Sequence, residues 1–306
     1  MSIRLTATAT TAGALLGMSA LFLTMAPTAA AAESPAGAEA RTPHHSPVTV
    51  AHRGASGYAP ENTLAAVDKA DKLGIDWVEN DVQRTKDGQL VVIHDTTLSR
   101  TTDVEERFPD RAPWNVADFT LKEIRSLDAG SWFGAEWKGT KVPTQEEYLN
   151  RVTRNGQRLL LELKAPELYP GIERQTLKQL RHEGWLNRDH KRKLIIQSFN
   201  ADAVKKVHDY KPEVKTGFLG NPTVEELPAY AKFSDQINPR HAAVTKEYVD
   251  AIHAVKGAHR RPLEVFTWTV DDAATAKRVA GAGVDGIISN KPDIVRDATA
   301  KIAARD

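Results

Sequence analysis

Residues 76–94 read DWVENDVQRTKDGQLVVIH and contain two strand candidates, 76–83 and 89–94, on either side of the turn sequence TKDG at 85–88. A crossover between parallel strands needs a dozen or more residues, so the two runs are too close together for one. We therefore predict an antiparallel hairpin. Folding back at this turn would carry His94 over the first strand of the pair.

Short β-branched runs alternate with amphipathic segments through the rest of the chain. Repeated β-α order over about 250 residues predicts a (β/α)8 TIM barrel rather than an open doubly wound sheet. Nine strand candidates are one too many, so we interpret the second hairpin strand as an excursion above the barrel. The predicted strands are 48–52, 76–83, 89–94, 158–164, 193–198, 214–219, 235–238, 263–268 and 285–289, and the helical patterns between them are 63–73, 144–155, 171–183, 201–210, 223–231, 245–255 and 272–282.

The first 32 residues are typical of a secretory signal peptide. They contain one basic residue, Arg4, no acidic residue, an apolar run at 14–26 and a small-residue exit through 28–32. A membrane anchor is the alternative, but the apolar run stops at Pro27 and is shorter than the roughly 20 residues that a spanning helix needs. We therefore predict a secreted protein, cleaved near Ala32, with no stable membrane anchor.

Three further segments complete the predicted organisation. Residues 33–47 are rich in Ala, Pro, Ser and Gly and are interpreted as a flexible leader. Residues 48–306 form one domain, with an insertion at about 95–143 that follows the hairpin. Within the insertion, Thr120-Leu121-Lys122-Glu123 is a capping-box sequence that predicts a short helix to about Leu127.

The composition excludes several classes of site. The 306 residues include no cysteine, which excludes thiol catalysis and thiolate metal sites. Lys and Arg together number 41 and Asp and Glu 40. This balance gives no electrostatic reason to expect nucleic acid as a partner. A metal, if one binds, must be held by oxygen and imidazole.

Two strands carry pairs of charged residues at their predicted carboxyl ends, where barrel active sites are built. Glu79 and Asp81 lie at i and i+2, so their side chains share one face of the strand, and Glu162 and Lys164 repeat this spacing. Buried carboxylates need a partner or a cation. The carboxylates predict one hard divalent ion, Ca²⁺ or Mg²⁺. A structural ion pair between Glu162 and Lys164 is the alternative.

Two histidines at strand ends complete the candidate site. His52 and His94 could serve as a general acid and a general base near neutral pH. Arg53 offers a planar fork suited to a phosphate oxygen. Glu61 and Asn62 precede the first predicted helix, and we interpret them as capping and bracing residues, with Asn62 at the N-cap.

Several separated motifs, in one order, resemble the glycerophosphodiester phosphodiesterase family, in its secreted bacterial form. The resemblance covers essentially the whole chain after the leader. It rests on His52-Arg53-Gly54, Pro60-Glu61-Asn62-Thr63, Glu79-Asn80-Asp81-Val82-Gln83, Thr85-Lys86-Asp87-Gly88, His94-Asp95, Leu98-Ser99-Arg100-Thr101-Thr102, Leu127-Asp128-Ala129-Gly130-Ser131-Trp132-Phe133, Val142-Pro143-Thr144, Glu162-Leu163-Lys164, Gln197-Ser198-Phe199, Trp268-Thr269-Val270 and Asp285-Gly286-Ile287.

The resemblance implies a TIM-barrel enzyme that hydrolyses glycerophosphodiesters to glycerol 3-phosphate and an alcohol with a divalent cation. It matches His52 and His94 to the acid–base pair and Arg53 and Lys164 to phosphate-holding groups. Trp268 matches an aromatic residue and is a candidate substrate wall. The family's metal carboxylates correspond to Glu79, Asp81 and Glu162.

Two other functions stay open at this point. One is a lysophospholipase D that uses the same site and would need an apolar channel beside Trp268. The other is a non-catalytic binding protein built on the same barrel. The insertion aromatics could line such a channel or form a small core of their own; they are Trp114, Trp132, Phe133 and Trp137.

Two positions depart from the family pattern. Asn80 stands between the two carboxylates, where an apolar residue is common, and should face the helix layer, where its amide needs a partner. Asn290 replaces a frequent Asp after the last strand. Neither change removes a predicted ligand or proton carrier, but both bear on local geometry and substrate preference.

Overall fold

The computed structural model describes residues 46–188 and 190–300. The predicted signal peptide and nearly all of the predicted leader lie outside these residues. No helix within the described ranges combines the length and the apolar character that crossing a bilayer requires.

A single sheet of nine strands closes into a barrel, as predicted. Eight strands are parallel, and closure occurs because the first strand pairs with both its successor and the last strand. The remaining strand, β3, pairs antiparallel with β2 in the predicted hairpin, with Val92 opposite Val82. The strands are β1 (Val48–Ala51), β2 (Trp77–Arg84), β3 (Leu90–Val92), β4 (Arg158–Leu163), β5 (Leu194–Ser198), β6 (Lys215–Leu219), β7 (Gln236–Asn238), β8 (Glu264–Thr267) and β9 (Gly286–Ser289).

Helices follow the strands around the outside of the barrel, and all seven predicted helices are present. The predicted 223–231 helix is shorter than expected because Pro228 cannot donate a backbone hydrogen bond and its ring would strike the carbonyl of residue 224. The α-helices are α1 (Leu64–Lys72), α2 (Val104–Arg107), α3 (Leu121–Ser126), α4 (Gln145–Arg154), α5 (Ile172–His182), α6 (Ala201–Tyr210), α7 (Leu227–Tyr230), α8 (Lys246–His253), α9 (Ala273–Gly281) and α10 (Pro292–Ala300). Two of these, α2 and α10, were not predicted.

Side chains along β2 alternate between the two faces of the sheet, so the apolar residues and the carboxylates lie on opposite faces. Val78 and Val82 belong to the apolar layer between sheet and helices, whereas the carboxylates between them point into the barrel. Asn80 faces outward, as predicted, and its amide Nδ2 donates to Oε1 of Gln145 on α4 at 3.0 Å. This outward hydrogen bond fixes the face that β2 presents to the interior.

An apolar layer fills the barrel beneath the charged residues. The Phe266 ring of this layer packs directly on Gly286. A Cβ at position 286 would lie 2.6 Å from the ring, so a larger residue would displace it. A core of this kind leaves the strand ends, rather than the barrel axis, for ligand binding. The side chains of the layer are Val50, Trp77, Leu160, Ile195, Phe266 and Ile288.

The insertion has an apolar core of its own. The predicted capping box at Thr120 and Glu123 is present and opens α3. Trp114 packs against this core, while Phe133 contacts Trp132 and Trp137 edge to face at centroid distances of 5.5 and 6.4 Å. The insertion aromatics therefore contact their own segment.

Candidate active site

A tight turn after β1 positions two candidate site residues, His52 and Arg53. Arg53 and Gly54 both have left-handed backbone, with φ of 55° and 77°. A Cβ at Gly54 would lie 2.6 Å from the carbonyl carbon of Ala66, so only glycine fits this approach to α1. The turn directs the backbone N–H of Arg53 to Oε2 of Glu79, at 2.8 Å.

The three predicted metal carboxylates lie together in the mouth of the barrel. Asp81 on β2 is in register with Glu162 on β4, and Glu79 lies two residues earlier on the same face. One carboxylate oxygen from each residue lies within 4.8 Å of the other two. All three side chains are buried, with exposures of 1, 1 and 6 %.

Close burial perturbs the ionisation of this cluster. Burial, together with the negative charges of Asp81 and Glu162, raises the pKa of Glu79 well above its usual value. Burial and Asp81 raise the pKa of Glu162 to about 7. Burial also raises the pKa of Asp81, but the charges of Arg53 and the other positive neighbours, together with the hydrogen bond from Asn62, outweigh it and leave this pKa below its usual value.

The carboxylate cluster fits a divalent cation. Oδ1 of Asp81 is buried and accepts no hydrogen bond from the protein. A buried charged oxygen without a donor is costly, and a cation between the three carboxylates would satisfy it. Carboxylate oxygens are also the donors that hard divalent ions prefer. Glu79, Asp81 and Glu162 could therefore hold such an ion.

Asn62 orients the cluster, and its interpretation as a helix cap was wrong. Its Nδ2 donates to Oδ2 of Asp81 at 2.8 Å, and its Oδ1 accepts from the backbone N–H of Asp81 at 3.3 Å. Thr63, whose backbone is extended, caps α1 instead and accepts from the N–H of Ala66. Asn62 has a left-handed φ of 58°, which directs its side chain to β2 rather than to the helix.

An ion-pair chain that the sequence analysis missed connects Arg53 to His94. Glu61 accepts from Nη1 of Arg53 at 2.9 Å and from Nη2 of Arg100 at 2.7 Å. Arg100 also donates through Nε to Asp95 at 2.6 Å. Only the adjacency of Asp95 to His94 hinted at this chain in the sequence. Arg100 comes from the insertion, so its position depends on tertiary structure.

His94 lies between an acid and an ammonium group. Its Nδ1 is 2.6 Å from Oδ1 of Asp95, and its Nε2 is 2.8 Å from Nζ of Lys164, which also donates to Glu162 at 3.0 Å. An ammonium group can only donate, so Nε2 of His94 accepts a hydrogen bond from Lys164. The ring proton is therefore on Nδ1, which donates a hydrogen bond to Asp95. Burial outweighs the charge of Asp81 and lowers the pKa of His94.

His52 is buried and has a neutral partner. Asn290 donates through Nδ2 to Asp271 at 2.7 Å, which turns its Oδ1 toward Nδ1 of His52, also at 2.7 Å. Nδ1 therefore carries the proton, and Nε2 of the neutral ring is free to accept one. Burial, and next the charge of Arg53, lower the pKa of His52 to about 4.

Two aromatic residues, Phe199 and Trp268, form an aromatic wall of the cleft that Glu79 and Glu162 also line. Trp268 packs edge to face against Phe199 at 5.4 Å, and its Nε1 donates to the carbonyl of Asn238 at 2.9 Å. None of the four insertion aromatics lies among the described residues that line the cleft. Those residues are His52, Arg53, Glu79, His94, Glu162, Lys164, Gln197, Phe199, Leu219, Arg240, Trp268, Thr269 and Ile288.

The cleft therefore combines two of the three clustered carboxylates, two neutral imidazoles and three cationic groups, Arg53, Lys164 and Arg240. This combination suits the hydrolysis of a phosphoric ester, because it can hold the phosphate and move protons on and off oxygen. All of these groups except Arg240 were predicted from the sequence, and Trp268 lines the same cleft. The remaining predicted residue, Asp81, is not among the lining residues but contacts Arg53 beside them.

Known proteins with similar sequences and folds carry phosphodiesterase names. The chain is 35% identical over 265 residues to a glycerophosphodiester phosphodiesterase of Bacillus subtilis, with 81% of this chain and 84% of the relative covered. It is 36% identical over 255 residues to a glycerophosphodiester phosphodiesterase of Caldanaerobacter subterraneus, with 80% and 95% covered.

A solved structure and a family profile agree with these relatives. An Oleispira antarctica phosphodiesterase, determined with its product sn-glycerol-3-phosphate, superposes with a TM-score of 0.72 at 30% identity and covers 82% of this chain and 96% of its own. The family profile matches residues 52–294, which include every candidate site residue. The chain belongs to the glycerophosphoryl diester phosphodiesterase family and is an enzyme of that class.

Proposed function

We propose that this enzyme hydrolyses glycerophosphodiesters to glycerol 3-phosphate and an alcohol, with one divalent cation at Glu79, Asp81 and Glu162. The observation that carries the proposal is the buried carboxylate cluster, of which Glu79 and Glu162 line one cleft with Lys164 and both histidines. The Oleispira relative, with its bound glycerol phosphate product, supports the same substrate class. Oxygen-only ligation favours Ca²⁺ or Mg²⁺.

The cationic side chains hold the phosphate. A divalent ion bound at the carboxylates would supply positive charge to the phosphoryl oxygens and stabilise the more negative transition state. Arg53 is held in place by Glu61 and lies 3.4 Å from Asp81 through Nε, so its fork stays at the cleft. Lys164 directly follows β4 and lines the same cleft as Arg53. Its contact with Nε2 of His94 breaks when the ammonium group turns to the phosphate.

The two histidines then move the protons. Once Lys164 turns to the phosphate, both His52 and His94 are neutral rings with a free Nε2, and each has its Nδ1 proton held by a fixed partner. One takes a proton from the nucleophile, which is water or the glycerol 2-hydroxyl of the substrate; attack by the 2-hydroxyl gives a cyclic phosphate, which water opens to glycerol 3-phosphate in a second step. The other protonates the departing alkoxide. Asp95 and Asn290 keep the rings oriented.

Chelation of divalent ions should abolish activity. We expect the purified enzyme to hydrolyse glycerophosphocholine and glycerophosphoethanolamine, to lose this activity with a chelator and to recover it with Ca²⁺ or Mg²⁺. Asp81→Asn should lower kcat/KM on the order of a hundredfold or more, because it removes a charged ligand. Asp202→Asn, at an exposed position in the first turn of α6, is the control and should not change kcat/KM.

Two outcomes of this assay would change the account. Hydrolysis that persists without divalent ions would exclude the metal assignment of the three carboxylates. A lysophospholipid hydrolysed faster than the soluble diesters would indicate a lysophospholipase D instead. The polar groups Arg240 and Gln197 in the cleft lining argue for the soluble substrates.

The partner of His52 should control the pH profile. The pKa of His52 is lowered by burial, and a carboxylate at position 290 would stabilise the protonated ring and raise this pKa. We expect the double variant Asn290→Asp/Asp271→Asn, which reverses amide and carboxylate but keeps their hydrogen bond, to move one limb of the kcat/KM profile to higher pH. Asp271→Asn alone is the control.

The limb that moves identifies the role of His52. A general base must be unprotonated, so its pKa sets the acidic limb, whereas a general acid sets the alkaline limb. A profile in which neither limb moves would contradict the assignment of His52 to proton transfer.

We also propose that the enzyme is exported. The proposal rests on the apolar run at 14–26 and the small-residue exit that ends near Ala32. Intact mass of the protein recovered from the medium of an expressing bacterium is the measurement, and an N-terminus near residue 33 is the expected result. Retention of the intact chain in the cell would exclude it.

A further inference from the structure

Arg240 is fixed at the rim of the cleft beside Trp268. It follows β7, and its backbone N–H donates to Oδ1 of Asn221 at 3.2 Å. The next residue, His241, donates its N–H to the carbonyl of Trp268 at 2.9 Å. The guanidinium carbon lies 5.4 Å from the centre of the Trp268 ring. Backbone contacts therefore hold this arginine against the aromatic wall.

The charge of Arg240 has no anionic partner among the described residues, unlike the two other cationic side chains of the cleft. Arg53 pairs with Glu61, and Lys164 pairs with Glu162. The residues in contact with Arg240, Asn221 and Trp268, are neutral, and the side chain is exposed, so its charge stays hydrated and available. A bound group that carries negative charge would find its first uncommitted cation here.

The aromatic wall is poorly suited to a cationic head group. Aromatic faces bind quaternary ammonium groups in many proteins. Here the Trp268 ring already has Arg240 over it, and the Phe199 ring has Nζ of Lys164 at 5.4 Å from its centre. A trimethylammonium group on this wall would meet like charges. An anionic group would instead meet the fork of Arg240, which matches the geometry of a carboxylate or a phosphate.

We propose that Arg240 selects glycerophosphodiesters whose alcohol carries a negative charge, either a carboxylate or a second phosphate. The proposal rests on the proposed function, which places the scissile phosphate at the carboxylate cluster. It adds that the alcohol lies on the side of Trp268. Arg240 then acts on the substrate at a distance from the reacting atoms. It determines specificity without taking part in proton transfer.

Two pairs of substrates isolate the added charge. Glycerophosphoserine differs from glycerophosphoethanolamine by one carboxylate, and glycerophosphoinositol phosphate differs from glycerophosphoinositol by one phosphate. We expect kcat/KM of the wild type to favour the anionic member of each pair about tenfold, a typical effect of one charged hydrogen bond. A preference in the first pair alone indicates recognition of a carboxylate, and a preference in the second pair alone indicates recognition of a phosphate.

Variants at position 240 assign the preference to this side chain. Arg240→Gln should bring both ratios close to one, and Arg240→Lys should keep part of the preference because it keeps the charge. Arg240→Glu should reverse it and favour glycerophosphocholine, whose quaternary ammonium could then use the aromatic wall. Arg154→Gln, at an exposed arginine in the last turn of α4, is the matched control and should leave the ratios unchanged.

Equal losses for both members of each pair in Arg240→Gln would overturn the proposal, as would a wild type without preference. Calorimetric binding of the same pairs in the presence of Mg²⁺ separates this failure from failure of the proposed function. If no diester is hydrolysed, the proposed reaction is wrong. In that case, tighter binding of the anionic member by the wild type, lost in Arg240→Gln, would still support recognition by Arg240. Equal binding of both members by the wild type would overturn the proposal.

Discussion

Three carboxylates are buried together in the mouth of the barrel, where little water reaches them. Burying their charges costs free energy, and the charged residues around them offset this cost. Five carboxylates and three permanent cations are linked there by a chain of contacts, so the group has an excess of two negative charges when every member is ionised. One divalent cation would balance this excess. The group consists of Glu61, Glu79, Asp81, Asp95 and Glu162 with Arg53, Arg100 and Lys164.

The same charge balance explains the raised pKa values of Glu79 and Glu162. Without an added cation, protonation is the alternative way to lower the charge of a buried cluster. Asp81 stays ionised because Arg53 and Asn62 contact it directly. The contact of Lys164 with both Glu162 and His94 further connects the cluster to the proton carriers. The groups that we propose for phosphate binding, metal binding and proton transfer are therefore in direct contact with one another.

Local sequence patterns predicted the parts of the site that strand geometry decides. The i, i+2 spacing placed Glu79 and Asp81 on one face, and the short turn after β2 returned His94 to the cleft. The outward direction of Asn80 followed from the same alternation. These predictions succeeded because side-chain direction along a strand has a period of two, whatever the tertiary context.

Other parts of the site depend on contacts that no local pattern contains. Asn62 was interpreted as a cap because its residue type and position suit one, but a left-handed φ turned it to Asp81 and left capping to Thr63. Arg100 reaches the site only through the folding of the insertion, which has its own core. Arg240 reaches the cleft only because β7 and β8 lie side by side. Such residues need the three-dimensional structure.

The central claim is that the carboxylate cluster is built to bind a divalent ion, and unfolding measured against ion concentration tests it most directly. A ligand that binds only the folded state stabilises it by about 2.7 kcal/mol at a hundredfold excess over Kd. The account predicts that Ca²⁺ or Mg²⁺ raises the Tm of the wild type, and that the variant Glu79→Gln/Asp81→Asn/Glu162→Gln shows no such dependence. A wild-type Tm that does not change with either ion would contradict it.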